Sequence, residues 1–292
     1  MSVMPQVTTT RDLGAATSEM PITPEQRYLH LLKRALAFML WPEPPVPLEL
    51  FNSRRGPVER YVVSAIAGLL RIRRLHLVKD TAPTEQQRRD GEIWPSYADT
   101  MIGLTRLDNL QYCVETVLKD GIPGDVIETG AWRGGACIFM RGIFAAYGVR
   151  DRKVYVADSF QGLPRAEALQ DAGDTHHTHP FLAVSQAQVE ANFRRYGLLD
   201  DQVVFLKGWF KDTLPKAPID RLAVLRLDGD MYASTMDALN ALYPKLSPGG
   251  FCIIDDYGVV DSCKQAVTDF RAAHGITADL QVIDGSGRYW RK

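Results

Sequence analysis

Two pairs of aspartates follow apolar segments in the second half of the chain. Asp228 and Asp230 end the segment LAVLRLDGD, and Asp255 and Asp256 end the segment GGFCIIDD. Residues i and i+2 of a strand point to one face, so we expect Asp228 and Asp230 to project from the same side of a strand end. If both strands end at one crevice, three or four carboxylates meet there and raise one another's pKa. The pattern predicts a divalent cation that prefers oxygen ligands, such as Mg²⁺, Ca²⁺ or Mn²⁺, rather than Zn²⁺.

A structural role is the alternative for each of these aspartates taken alone. Asp230 could cap a helix that starts near Ser234, and Asp256 could cap a helix or close a turn. Capping explains one acidic strand end more easily than it explains three at adjacent strand ends, so the metal-site hypothesis is kept.

A glycine-rich turn earlier in the chain predicts a nucleoside site. In VIETGAWRGGACIFM, Glu128 ends a strand, and Gly130, Gly134 and Gly135 allow a sharp turn and close backbone approach. The motif is not the GxGxxG of dinucleotide enzymes, and a carboxylate at Glu128 would meet a pyrophosphate badly. Asp158 ends the next strand, where an acidic residue bonds ribose hydroxyls. An adenosine ligand with a positive centre and no phosphate, S-adenosylmethionine, fits this set; a purely structural loop is the alternative.

Alternating strands and helices must position these residues. From about residue 125 onward, short apolar segments alternate with amphipathic ones, which is typical of a parallel sheet covered by helices on both faces. In such sheets, ligands bind outside the carboxyl ends of the strands. Upstream of residue 125, the patterns predict helices and a linker: a helix over 23–40 with Thr23 as N-cap, a helix over 58–78, a polar linker over 79–95 and a helix over 97–121.

The composition excludes several classes of function. Lys plus Arg total 34 and Asp plus Glu total 35, so the net charge of −1 does not suggest a nucleic-acid partner. No apolar run approaches the roughly 18–20 residues of a membrane span, and the N-terminus lacks a secretory signal pattern. The four cysteines form no CxxC motif, which favours a reducing, cytoplasmic location.

Several motifs in order resemble the macrocin O-methyltransferase family. They are ETGAWRGG, ADSFQGLP, LRLDGDMYASTMDAL and IIDDYG, with YADTMIGLTRLDNLQ upstream. The resemblance covers roughly residue 92 to the end. It implies a class I, Rossmann-like α/β fold with a mostly parallel seven-stranded sheet, helices on both faces, N-terminal helices and a lid. The predicted division is a disordered tail (1–24), an N-terminal helical segment (25–91) and a methyltransferase domain (92–292).

The resemblance also implies an activity and a role for each residue. The chain would be an S-adenosylmethionine- and Mg²⁺-dependent O-methyltransferase that acts on a sugar hydroxyl of a glycosylated, antibiotic-type natural product. Asp228, Asp255 and Asp256 would hold Mg²⁺, and Asp230 would be the general base, so that Asp228 and Asp230 form the catalytic pair. The residues that would bind the cofactor are Thr100, Met101, Ile102, Glu128, Thr129, Gly130, Ala131, Trp132, Gly135, Asp158, Ser159, Gly208 and Trp209.

Other interpretations stay open. A metal-dependent catechol or phenol O-methyltransferase would have the same fold and ion, and a non-catalytic nucleoside-binding domain would keep only the fold. The segment 165–182 is interpreted as part of a mobile lid over the acceptor. Its His176, His177 and His179 could ligate metal or lie in a solvated or substrate-facing loop, and they are the first alternatives if Asp230 is not the base. A self-associating helical N-terminus predicts a homo-oligomer.

Overall fold

The computed structural model of the chain describes residues 23–48, 56–79 and 83–292. Nearly all of the predicted disordered tail (1–24) lies outside these ranges. The helices are α1 (Pro24–Leu36), α2 (Pro57–Ile72), α3 (Glu85–Asp90), α4 (Leu104–Lys119), α5 (Gly135–Ala146), α6 (Gln186–Arg195), α7 (Phe210–Thr213), α8 (Tyr232–Leu242) and α9 (Asp261–Ala273). The strands are β1 (Val46–Pro47), β2 (Val78–Lys79), β3 (Asp125–Thr129), β4 (Val154–Asp158), β5 (Val203–Lys207), β6 (Leu222–Leu227), β7 (Leu246–Ile254), β8 (Gln281–Val282) and β9 (Arg288–Arg291).

The main sheet has seven strands in the order β5-β4-β3-β6-β7-β9-β8. The first five are parallel, and β9 runs antiparallel to both β7 and β8. The predicted α/β fold with a mostly parallel seven-stranded sheet is confirmed. The chain leaves β3 toward β4 on one side and later places β6 on the other side, which makes the β3–β6 junction a switch point where ligands bind.

The register of the central strands brings their carboxyl ends to one edge. Thr129 of β3 lies opposite Leu227 of β6, and Leu227 lies opposite Ile254 of β7. The residues that follow these three positions therefore emerge side by side, as the sequence predicted for the aspartate-tipped strands.

Helices cover both faces of the sheet, and its central parallel strands are mostly apolar. Val126 packs into a core under α1, α4 and α5, while its neighbour Ile127 packs into a second core under α8 and α9. Adjacent strand residues point to opposite faces, so a central strand covered on both sides is apolar at nearly every position.

The helix predictions upstream of the sheet need corrections: α1 ends at Leu36 and not at residue 40, and α2 ends at Ile72 and not at residue 78. Thr23 does cap α1, through a capping box with Gln26, but the polar linker over 79–95 contains a helix. Thr84 and Gln87 form a second capping box that starts α3, and Gly91 ends this helix in a left-handed conformation (φ 67°). The T-x-x-Q spacing was available in the sequence and was missed.

Helix α2 packs differently from the other long helices. Its buried residues are Val63 and Ala67, whereas Val58, Tyr61 and Leu69 are at least 69% exposed.

Within the described ranges, no helix has the length and apolar character needed to cross a membrane. The predicted division of the chain at residues 24 and 91 stays a prediction.

Candidate active site

A cavity of about 1000 Å³ opens at the carboxyl ends of the central strands. Among the residues singled out from the sequence, its lining contains the four aspartates and most of the expected cofactor contacts. These lining residues are Asp228, Asp230, Asp255, Asp256, Thr100, Met101, Ile102, Glu128, Gly130, Ala131, Trp132, Asp158, Ser159, Gly208 and Trp209. Thr129 and Gly135 were also expected in the site but do not line this cavity.

The turn after β3 requires glycine because it lies against the end of β6. Gly130 has a φ of 89°, and a Cβ at this position would lie 1.6 Å from the backbone oxygen of Asp228. Gly135, although outside the lining, provides room: a Cβ there would lie 2.4 Å from the Asp99 oxygen and 2.5 Å from the Thr100 Cβ. The segment before α4 therefore crosses directly over the start of α5, which is why α4 begins at Leu104 and not near residue 97.

Asp158 ties this turn to the end of β4. Its carboxylate accepts hydrogen bonds from the backbone N–H groups of Ala131 (2.8 Å), Trp132 (3.3 Å) and Phe160 (2.6 Å). Burial raises the pKa of Asp158, and these hydrogen bonds oppose that rise. The Ser159 hydroxyl also lies 3.5 Å from Asp158 Oδ1, but its single proton is donated to the Gly162 oxygen at 2.7 Å. A carboxylate offers about four acceptor positions, so Asp158 keeps capacity for a ribose hydroxyl. Its own backbone oxygen accepts from the N–H of Gly208 (2.9 Å), which brings that loop to the cavity.

Arg226 is a buried cation at the centre of the site. Its guanidinium donates to Glu128 and Asp255, and to Asp228 at 3.0 Å. Burial lowers the pKa of Arg226, but the charges of Asp255 and Glu128 raise it by more than burial lowers it. The net result is a pKa well above the usual range. Glu128 accepts in addition from the Cys137 thiol at 2.9 Å. Arg226 thus links the end of β3 to the ends of β6 and β7.

A second arginine reaches Asp255 from α4. Arg106 donates to the Asp255 oxygen that Arg226 leaves free, and its Nε lies 3.1 Å from the Asp284 Oδ2. Burial lowers the pKa of Arg106, while Asp255 and Asp284 raise it above its usual value. Two arginines from different elements therefore fix the orientation of the Asp255 carboxylate.

Asp228, Asp255 and Asp256 form an acidic cluster. Each offers one carboxylate oxygen, and these oxygens all lie within 4.8 Å of one another. Burial, and then the charges of neighbouring carboxylates, raise the pKa of Asp228 and Asp256 well above their usual range. An all-oxygen set under mutual repulsion fits a hard divalent cation such as Mg²⁺, because the cation offsets the repulsion.

Asp230 lies in the same cavity, but the strand geometry expected for it is wrong. Strand β6 ends at Leu227, and Asp230 has a φ of 56°, so a left-handed turn directs its side chain. Its backbone N–H donates to Asp256 Oδ2 at 3.2 Å, in keeping with a turn-closing role for Asp256. Burial raises the pKa of Asp230 to about 6, although the nearby His176 opposes the rise.

The capping alternative for Asp230 is also wrong. Asp171, from the segment interpreted as a lid, caps α8 instead: its carboxylate accepts from the N–H groups of Tyr232 (2.6 Å) and Ala233 (3.1 Å). Asp171 is 2% exposed, so this is a buried connection between the lid segment and the helix that follows Asp230.

The three histidines of the lid segment have different environments. His176 lines the cavity, and its Nδ1 lies 2.7 Å from Asp174 Oδ2. His177 is exposed, and His179 packs its ring against Trp94 with 5.2 Å between centroids. The acidic cluster found among the described residues as a possible metal site includes none of them.

The profile of the family described as "Macrocin-O-methyltransferase (TylF)" matches residues 25–292. The chain belongs to this family. The resemblance seen in the motifs is therefore confirmed, and the TylF-family chain is an S-adenosylmethionine-dependent O-methyltransferase, not a non-catalytic nucleoside-binding domain.

Its relatives in the family are similar over most of their length. The chain is 59% identical over 218 residues to the 8-demethyl-8-(2,3-dimethoxy-alpha-L-rhamnosyl)-tetracenomycin-C 4'-O-methyltransferase of Streptomyces olivaceus, covering 73% of this chain and 83% of that enzyme. It is 56% identical over 222 residues to the mycinamicin III 3''-O-methyltransferase of Micromonospora griseorubida, covering 74% and 87%. The solved O-methyltransferase NovP is 44% identical, with a TM-score of 0.78 over 92% of this chain and 99% of NovP.

Sequence reasoning missed the residues that organise the acidic part of this TylF-family site. Arg226 lies within the strand LAVLRL and was counted as part of an apolar run; its signal was a lone charge in a buried strand, which must find carboxylate partners. Arg106, Asp171 and Asp284 carried no comparable local signal, because each acts on a residue distant in the chain.

Proposed function

We propose that this O-methyltransferase transfers the methyl group of S-adenosylmethionine to a sugar hydroxyl of a glycosylated natural product. We further propose that Asp228, Asp255 and Asp256 hold Mg²⁺ for this reaction. The observation that carries the proposal is the meeting of the glycine turn and the acidic cluster in one cavity. The names of two relatives support a sugar acceptor, since one acts on a rhamnosyl tetracenomycin and the other is named for mycinamicin III.

The donor would lie against the turn that follows β3. S-adenosylmethionine supplies an electrophilic methyl group when it is bound. Asp158 has acceptor capacity for a ribose hydroxyl, and Gly130, Ala131 and Trp132 line the cavity beside it. Thr100–Ile102 crosses over the start of α5 and lines the same space, which would shield the donor from water.

The acidic cluster would hold and prepare the acceptor. Mg²⁺, when bound, would orient the acceptor hydroxyl and lower its pKa. Arg106 and Arg226 keep Asp255 in one orientation, so the donor set is preorganised. Asp230 has a pKa of about 6 and is mostly unprotonated at neutral pH, so it can accept the hydroxyl proton while the new O–CH₃ bond forms and the S–CH₃ bond breaks.

The phenol alternative receives less support from the cavity. Of the aromatic residues that could have formed an acceptor pocket, Trp94 lines the cavity, whereas Tyr97, Tyr232 and Tyr257 do not. Trp132, Trp209 and Phe210 also line the cavity, but they belong to the turn after β3 and to the Gly208 loop, which would hold the donor. The aromatic face of Trp94 suits stacking on a sugar as well as on a catechol.

A direct assay tests the proposal. Purified protein is incubated with S-adenosylmethionine and either mycinamicin III, the rhamnosyl tetracenomycin named above or catechol, with Mg²⁺ or with excess EDTA. We expect a sugar methyl ether by mass spectrometry with Mg²⁺ and its loss in EDTA. Methylation of catechol alone would overturn the sugar acceptor, and full turnover in EDTA would overturn the metal.

We also propose that the chain forms a homodimer through α2. Exposed apolar side chains recur along this helix at spacings of three and four, at Val58, Tyr61, Val62, Ile66, Leu69 and Ile72. In an antiparallel pair centred on Ala65, the Val58 end of one helix meets the Ile72 end of the other, so the same surface complements itself. The acidic first turn of each helix then faces the basic last turn of its partner.

The mass in solution tests this dimer. The chain has a mass of 32.6 kDa, so light scattering should give about twice that value for the wild type. Replacing Tyr61 and Leu69 together by Glu should give the monomer, while Leu169→Glu, at an equally exposed apolar residue outside α2, should not. A monomeric wild type, or a dimer that survives the double substitution, would contradict the proposal.

The predicted cytoplasmic location stays a prediction.

A further inference from the structure

We infer that His176 is a hydrogen-bonding contact to the acceptor sugar and that Asp174 is the residue that positions it. The inference rests on the proposed function, because it takes a sugar to be the molecule that enters the cavity beside Asp230.

Both oxygens of Asp174 hold His176. Oδ1 accepts the backbone N–H of His176 at 2.8 Å, and Oδ2 lies 2.7 Å from the ring Nδ1. This contact assigns Nδ1 as the protonated nitrogen and leaves Nε2 as the second polar atom of the ring. In the described part of the chain, Nε2 has no hydrogen-bond partner, although the residue lines the cavity. A ring fixed in this way is ready to bond a ligand hydroxyl.

The segment that carries His176 is attached to the body of the protein on both sides. Before it, Asp171 accepts two backbone N–H groups of α8. After it, His179 and Phe181 pack on Trp94, and the backbone oxygen of Phe181 accepts from the Trp132 indole at 3.0 Å. Anchoring at both ends places the imidazole in the cavity before an acceptor binds, which lowers the entropic cost of the contact.

The position of His176 relates it to the acceptor and not to the donor. It lines the cavity together with Asp230, and the ring is near enough for the Asp230 charge to act on it: burial lowers the pKa of His176, whereas Asp174 and Asp230 raise it. The turn after β3 that would hold the donor makes no contact with His176 among the hydrogen bonds and ring contacts of the described residues. Nε2 would therefore meet an acceptor group close to the reacting hydroxyl.

A sugar is the class of ligand that suits this nitrogen. A neutral imidazole protonated at Nδ1 accepts from a hydroxyl through Nε2, and a charged imidazole donates to a hydroxyl oxygen. A site built to bond a hydroxyl disfavours an analogue without it, since the polar ring atom is then left unpaired. His176 would thus favour acceptors that carry a second hydroxyl near the one that is methylated.

Three single variants separate this contact from a structural role. His176→Phe keeps a ring and removes the polar nitrogen, His176→Gln restores a polar group at nearly the same reach, and His177→Phe is the matched control at the exposed neighbour. Kinetics are measured with whichever of mycinamicin III and the rhamnosyl tetracenomycin the wild type methylates. The Kd for S-adenosylhomocysteine is measured in parallel by calorimetry.

We expect His176→Phe to lower kcat/KM for the acceptor by about tenfold, which is the effect of one lost hydrogen bond. The Kd for S-adenosylhomocysteine should stay within about twofold. His176→Gln should recover part of the loss, and His177→Phe should match the wild type. Asp174→Asn should cost less than His176→Phe and should add nothing in the His176→Phe background, because both changes act through the same ring.

Each other outcome decides against the inference. Unchanged acceptor kinetics in His176→Phe would show that the ring makes no such contact. A parallel loss of S-adenosylhomocysteine affinity would show general damage to the cavity. A wild type that methylates neither sugar acceptor would overturn the proposed function and this inference with it, whereas an active wild type with an unaffected His176→Phe variant would overturn the inference alone.

Discussion

The two halves of the cavity are built from different parts of the chain. In the cofactor half, the turn after β3, the end of β4 and the Gly208 loop are joined through backbone groups, with Asp158 as the shared carboxylate. The acidic half is formed by Asp228, Asp230, Asp255 and Asp256. Here the contacts are between side chains: the guanidinium groups of Arg106 and Arg226 donate to carboxylates of this half. Backbone geometry sets the shape of one half, and long-range charge pairing sets the other.

This difference separates the expected effects of substitution. Changes in the acidic half should alter rate and charge balance and leave donor binding nearly intact. Among the described residues, the ion pairs of the acidic half reach the cofactor half only through Glu128, at the end of β3.

Asp228→Asn should abolish metal-dependent turnover while the protein still binds S-adenosylhomocysteine. The substitution removes a proposed Mg²⁺ ligand and a partner of Arg226, so we expect kcat to fall by at least about 10⁴-fold. Turnover assays and calorimetry measure the two effects, and Asp201→Asn, at a surface carboxylate 93% exposed, is the control. A matching loss of donor affinity would break the separation between the halves.

Arg226→Gln should cost about 3–5 kcal/mol of unfolding free energy, because it leaves Glu128 buried without its cation and removes one of the two arginines that pair with Asp255. Urea denaturation measures this loss. Arg194→Gln is the matched control: Arg194 pairs with Glu190 on the surface of α6, and exposed pairs contribute less than about 1 kcal/mol. Equal effects of the two substitutions would show that Arg226 does not organise the acidic half.

Asp230→Asn should fold and bind both ligands but turn over about 10²–10⁴-fold more slowly, the usual contribution of a general base. For the wild type, kcat should fall about tenfold per pH unit below the pKa of Asp230, because protonation removes the base. Burial raises this pKa to about 6, and Mg²⁺ bound beside Asp230 would lower it, so the acidic limb should begin at or below about pH 6. The variant should lack this limb of the pH profile. A kcat near that of the wild type would move the base elsewhere, with His176 the first residue to examine.

The same difference explains what the sequence could predict. The glycine turn and Asp158 could be placed from local patterns, because a turn and a strand end are specified by adjacent residues. The meeting of Asp228, Asp255 and Asp256 followed from the rule that parallel strands end at one edge.

The remaining features depend on contacts that no local pattern contains. Arg106 lies 149 positions from Asp255 in the sequence, and the two side chains meet only when α4 packs on the sheet. Asp230 was expected on a strand face, but β6 ends at Leu227 and the chain turns three residues later, where Asp230 itself is left-handed. Asp171 lies in a long connection whose path over α8 is decided by tertiary packing.

Asp171→Ala should give the smallest effect and show how the lid segment joins the two halves. Removal of a carboxylate that caps α8 should cost about 0.5–2 kcal/mol of unfolding free energy. Asp269→Ala, which removes only an exposed hydrogen bond to the Tyr232 hydroxyl, should cost less than about 0.5 kcal/mol. Because Asp171 attaches the lid to the acidic half, kcat/KM for the acceptor should fall by a few-fold more than the affinity for S-adenosylhomocysteine. A larger loss of donor affinity would mean that the lid is held mainly by the cofactor half, through Trp132 and Phe181.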